Sequence, residues 1–72
     1  MNNFSEHLKS IRKSKKLTQK QVADGIGVVE RAYQRYERNE RKPSFEKLIA
    51  LADFFDVSLD YLVGREWGEN AE

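Results

Sequence analysis

The stretch that most limits the architecture of this chain is residues 17–37, LTQKQVADGIGVVERAYQRYE. Thr18 and Gln21 stand three apart ahead of an apolar run, the spacing of a capping box at a helix start. Val22, Ala23 and Ile26 then recur at helical spacing. Gly27 ends that helix, because a left-handed residue closes helices well and glycine adopts it freely. A second helix, over roughly residues 29–37, carries Tyr33 and Tyr36 on one side and Glu30, Arg31, Gln34 and Arg35 on the others. Two short helices joined by so tight a turn must be braced by the remainder of the chain.

The remainder also reads as helix. Phe4, Leu8 and Ile11 form one stripe and predict a helix over residues 4–15, capped by Asn3 or Ser5. Lys13, Lys15 and Lys16 suit the negative end of its dipole. Arg12 falls at the edge of the buried stripe, where a charge needs a partner. Gly25 lies inside the chain's second helix, residues 19–26, explained by close approach of another backbone or by no constraint at all. RNERK, residues 38–42, is a polar, basic loop, with Asn39 suited to a left-handed cap. Ser44 caps a fourth helix over residues 45–55, where Phe45, Leu48, Ile49, Leu51, Ala52, Phe54 and Phe55 make so wide a stripe that it is expected to be the most buried helix. Ser58 caps a short last helix from Leu59 to about Val63, and Gly64 ends it. No repeat, low-complexity segment or strand-like alternation is present. The expectation is an all-α domain over residues 1–64, followed by a short polar tail over residues 65–72 that contains Trp67.

Several function classes are disfavoured. With 72 residues and no cysteine, the chain holds one small domain without disulfides or thiolate metal sites, which suits a reducing cytoplasm. His7 is the lone histidine and has no obvious carboxylate or nucleophile partner, so no catalytic residues, metal site or small-molecule cofactor are expected. No apolar run approaches the roughly 18 residues of a membrane span, and MNNFSEHLKS lacks a secretory pattern. Charge is more informative. Residues 1–43 carry 11 Lys or Arg against 5 Asp or Glu, and residues 44–72 carry 2 against 7. The net charge of +1 therefore hides a basic half suited to a polyanion.

Helix, tight turn and helix make up the helix-turn-helix unit. In order and spacing, Thr18-Gln19, Ala23, Gly27-Val28, Tyr36-Glu37, Pro43-Ser44, Leu51-Ala52 and Val57-Ser58-Leu59 resemble the phage repressor and Cro (lambda-repressor-like, XRE) family, over about residues 4–64. The resemblance implies a compact five-helix domain that binds double-stranded DNA, commonly as a homodimer on a near-palindromic operator. It implies a cytoplasmic regulator of bacterial or phage origin. With no effector domain in the sequence, repression by operator occupancy is the simpler expectation. The alternative is an antitoxin or protein-interaction module on the same fold.

The resemblance also assigns roles. Gln19 corresponds to a residue that holds a phosphate at the start of the second helix. Glu30, Arg31, Gln34 and Arg35 match base-facing positions, where Arg suits guanine, Gln adenine and Glu cytosine. Val29 stands where the family usually has a Ser or Thr cap. Its methyls either meet a thymine methyl or partly cover the core. Arg38, Arg41 and Lys42 lie where the loop follows the DNA backbone. Arg12 and Glu37 align with a structural ion pair. Tyr33 and Tyr36 anchor the recognition helix with hydroxyls toward the surface, Tyr33 within reach of a phosphate. Phe54, Leu59, Leu62 and Trp67 are candidates for the dimer interface.

Overall fold

Helices form wherever apolar residues recur at helical spacing, and the computed structural model, which describes residues 4–64, holds five of them. They are α1 (Phe4–Ser14), α2 (Gln19–Ile26), α3 (Glu30–Glu37), α4 (Phe45–Phe55) and α5 (Leu59–Leu62). No strand occurs among the described residues. The Thr18 hydroxyl accepts from the Gln21 N–H at 3.0 Å, and the Gln21 side chain accepts from the Thr18 N–H at 2.8 Å, completing the capping box. Ser44 and Ser58 cap α4 and α5 in the same hydroxyl-to-N–H fashion. Ser5 lies inside α1 and is buried, so it is not that helix's cap. Asn3 and Trp67 lie outside the described residues.

Helices α1 to α4 share one kind of ending. Lys16, Gly27, Asn39 and Asp56 each take positive φ, and the next residue's N–H bonds back to the carbonyl of Arg12, Ala23, Arg35 or Ala52. This closure satisfies carbonyls that the helix leaves open. Lys16 gains nothing from its side chain in this backbone region, and Asp56, though better tolerated there, still has a Cβ that glycine lacks and puts a negative charge at the negative pole of α4. Asp56→Gly should therefore stabilise the domain by about 0.5–1 kcal/mol, read as a raised thermal midpoint. An unchanged or lower midpoint would mean that the turn carries no such strain.

The core draws on every helix: Leu8 and Ile11, Val22, Ala23 and Ile26, Tyr33 and Tyr36, Leu51, Ala52 and Phe55, and Leu62. Two expectations need correction. Helix α4 is not the most buried, since Phe45 is 66% exposed and Ile49 and Phe54 are also exposed. The apolar stripe is wider than the surface offered by α2 and α5, its main neighbours. Leu62 is 0% exposed and belongs wholly to the core, which removes it from the candidate dimer surface. Leu59 is half-buried against the core, leaving Phe54 as the more open of the two. Gly25 also finds its reason. A Cβ built there would lie 2.2 Å from Cε1 of Phe54, so the close approach is by an aromatic side chain and not by backbone.

Candidate nucleic-acid interface

The sequence divides α3 into two faces. Tyr33, Tyr36 and Glu37 point inward and are buried; Glu30, Arg31 and Arg35 are exposed, and Gln34 is half-buried between them. The inward face packs on α1 and α2. The exposed arginines sit one helical turn apart, a like-charge spacing that is unfavourable in isolation and suits a neighbouring anion. The side chains of Arg31, Arg35, Arg38, Arg41 and Lys42 make no hydrogen bond or ion pair with any described residue. The structure thus brings Arg31 and Arg35 together on an open surface, with Arg38, Arg41 and Lys42 exposed in the loop that follows.

What holds α3 is a buried acid. Arg12 grips Glu37 with two bonds, Nε to Oε2 at 2.6 Å and Nη2 to Oε1 at 3.1 Å. The third guanidinium nitrogen, Nη1, donates to the Leu17 carbonyl at 2.9 Å and closes the α1–α2 turn. The Tyr33 hydroxyl donates to Glu37 Oε2, and Gln19 Nε2 donates to Oε1 at 3.1 Å. Burial alone would raise the Glu37 pKa, but the bonds from Arg12, Tyr33 and Gln19 outweigh it and hold the carboxyl below its usual range. The hydrogen bond to Glu37 raises the Arg12 pKa. Burial, reinforced by Glu37, pushes the Tyr33 phenol well up. The Tyr33 hydroxyl is therefore turned inward and used, and does not reach the surface or a phosphate as expected.

Gln19 begins α2 and is half-buried; besides its bond to Glu37, its Oε1 accepts from Gln34 Nε2 at 3.3 Å. Lys9 and Lys13 line one groove with Gln19, Thr18 and Glu30, and sequence reasoning missed both. A signal for them existed: Lys9, Arg12 and Lys13 follow helical spacing, so pinning Arg12 on Glu37 brings its neighbours to the start of α2. The turn before α3 is held from behind by Lys47, whose Nζ donates to the Ile26 carbonyl at 3.4 Å.

Val29 takes the N-cap position of α3 with extended backbone and no side-chain cap bond. Its carbonyl still accepts from the Ala32 and Tyr33 N–H groups, so the helix starts at Glu30 regardless. Val29 is 71% exposed and is not among the residues packed against the core, which goes against the reading in which it partly covers the core. Val29→Ser should supply the missing cap and stabilise the domain by about 1 kcal/mol. If thermal unfolding shows no gain, the first turn of α3 is satisfied in another way.

Comparison with known proteins accords with this arrangement. A family model described as helix-turn-helix matches residues 8–62. The uncharacterized HTH-type transcriptional regulator YqaE of Bacillus subtilis is 48% identical over 92% of this chain and 57% of its own length. The cryptic phage CTXphi transcriptional repressor RstR of Vibrio cholerae is 42% identical over 96% of this chain and 62% of its own length. The chain thus spans little more than half of these relatives. Among solved structures, the P22 c2 repressor protein in complex with a synthetic operator superposes with a TM-score of 0.84 at 30% identity, over 92% of this chain and 100% of that one. Motif, fold and these likenesses coincide over the same residues, and the chain belongs to the helix-turn-helix family of the phage repressor and Cro (XRE) type.

Proposed function

We propose that the protein is a transcriptional regulator, not an enzyme, that binds double-stranded DNA sequence-specifically and represses by occupying its operator. The observation that carries this reading is the outward face of α3, with Arg31 and Arg35 exposed, their side chains bonded to no described residue, on a helix fixed from behind. The major groove admits one such helix, and Arg31 and Arg35 suit guanine edges, Gln34 adenine and Glu30 cytosine. The exposed methyls of Val29 suit a thymine methyl. Gln19, Arg38, Arg41 and Lys42 hold phosphates, and Lys9 and Lys13 extend that track along the groove beside α2.

The relatives named above are regulators and lend no support to the antitoxin or interaction-module alternative. We assign the DNA-binding domain of this proposal to residues 1–64. The partner DNA is a near-palindromic operator bound by a homodimer, with recognition helices one turn of duplex apart, roughly 34 Å. Exposed Phe54 and half-buried Leu59 are the described candidates for the dimer surface. No helix among the described residues is long and apolar enough to cross a membrane.

The deciding experiment is selection from a random duplex pool, followed by affinity measurements across a salt series. The expected result is one enriched near-palindrome and a log–log salt slope of about −0.9 per phosphate neutralised. Enrichment of no sequence, or binding indifferent to salt, would overturn the reading. Sedimentation on the selected site should give two protomers per duplex; a single protomer there would rule out the palindrome.

A further inference from the structure

Glu37 is too deep to touch a ligand, with a side chain 2% exposed, yet a chain of hydrogen bonds connects it to the half-exposed face of α3. Its Oε1 accepts from Gln19 Nε2 at 3.1 Å, and Gln19 Oε1 accepts from Gln34 Nε2 at 3.3 Å. An ionised carboxylate carries no hydrogen and can only accept. Gln19 must therefore turn its nitrogen, not its oxygen, toward Glu37. That choice leaves the Gln19 oxygen toward Gln34, which must answer with its own nitrogen. One N–H of the Gln34 amide is then engaged, and its oxygen and second N–H remain free in a single order.

Direction matters because a glutamine amide turned through half a circle exchanges donor for acceptor. Adenine offers an acceptor at N7 and a donor at N6 in the major groove, so only one order of the amide pairs with it in a given pose. We propose that Glu37 is a positioning residue for base selection: through Gln19 it fixes the donor–acceptor order of Gln34 and so sets that residue's preference for adenine. Resting on the DNA-binding reading above, this gives the buried acid a role in specificity besides its role in holding helices together. Gln19 then serves both as a phosphate contact and as the link between the buried acid and Gln34.

The test is selection from a random duplex pool with the wild-type chain, Gln34→Ala, Gln19→Met and Glu37→Gln. Gln34→Ala identifies the base pair that Gln34 reads. Gln19→Met cuts the relay while leaving Glu37 its bonds from Arg12 and Tyr33, so the bundle keeps its pin. It should lose about tenfold in preference at that same pair, the low end of one bidentate contact, with the other positions unchanged. Glu37→Gln offers Gln19 either an oxygen or a nitrogen and should blur the same pair. A Gln19→Met variant that binds all sequences more weakly but keeps the wild-type profile would overturn the relay. So would a folded Glu37→Gln with the wild-type profile, or a Gln34→Ala change that alters no position. A wild-type chain that enriches no sequence would fail earlier, at the DNA-binding reading itself.

Discussion

Arg12→Met should destabilise the domain by about 3–5 kcal/mol, the cost of leaving a buried carboxylate without its charge partner. In so small a domain that is a large share of the total stability, which for single domains is about 5–15 kcal/mol. The cost arises because Glu37 keeps only Tyr33 and Gln19 as donors once Arg12 is gone. Loss of the bond to the Leu17 carbonyl adds to it by loosening the turn into α2. Chemical denaturation of Arg12→Met, Glu37→Met and the double variant forms the cycle that isolates the pair. A double variant clearly more stable than either single one is expected, since it removes the orphan charge; purely additive losses would show that the pair is not coupled.

The same cluster sets the pH limits. The folded-state pKa of Glu37 lies below its unfolded value, so its contribution is complete above the unfolded carboxylate range, about 4.3. That contribution is lost as pH falls through the lowered folded value. Tyr33 acts at the other end. Its folded pKa is raised, so above about 10 the unfolded chain ionises first and stability falls again. A denaturation series over pH should show both limbs, and Tyr33→Phe should weaken the alkaline one.

Arg31→Ala with Arg35→Ala is expected to produce the largest loss in binding. A bidentate arginine–guanine contact discriminates by about 1–3 kcal/mol, so two independent contacts lower operator affinity by roughly 30-fold to 3×10⁴-fold. Each single variant should relax preference at its own base position, whereas Arg41→Ala or Lys42→Ala should weaken all sequences alike and reduce the salt slope by about one. Fold is not at risk, because both arginines are exposed and their side chains bond to no described residue. If the double variant keeps its selected sequence and loses only salt-dependent affinity, both arginines are phosphate contacts.

Much of this was legible before the fold was known, for local reasons. Thr18, Ser44 and Ser58 act on N–H groups a few residues away, and the apolar stripes record their own helices. Helix endings were half legible: Gly27 and Asn39 advertise a left-handed residue and Asp56 does so more weakly, whereas Lys16 adopts it without any compositional sign. At Gly25 the sequence does not show what approaches, because its partner, Phe54, arrives from another helix. Phe45 and Ile49 misled because periodicity identifies the apolar side of a helix, not how far its neighbours extend over it. At the site, the exposed arginines and the Arg12–Glu37 alignment came from motif and resemblance. The bonds from Gln19 to Glu37 and Gln34 did not, since polar side chains at these separations meet only once α2 and α3 are set against each other.

The two faces of α3 have a consequence for how such a protein changes. The residues that secure the helix, Tyr33, Tyr36 and Glu37, are buried, while Glu30, Arg31 and Arg35 are exposed. Exposed substitutions away from special features seldom shift stability by more than about 0.5 kcal/mol. A lineage can therefore exchange those three side chains and acquire a different operator while the scaffold stays folded. Only Gln34, tied to the interior, resists such independent drift. New binding specificities can arise on this framework by small, separable steps, without passing through unfolded intermediates.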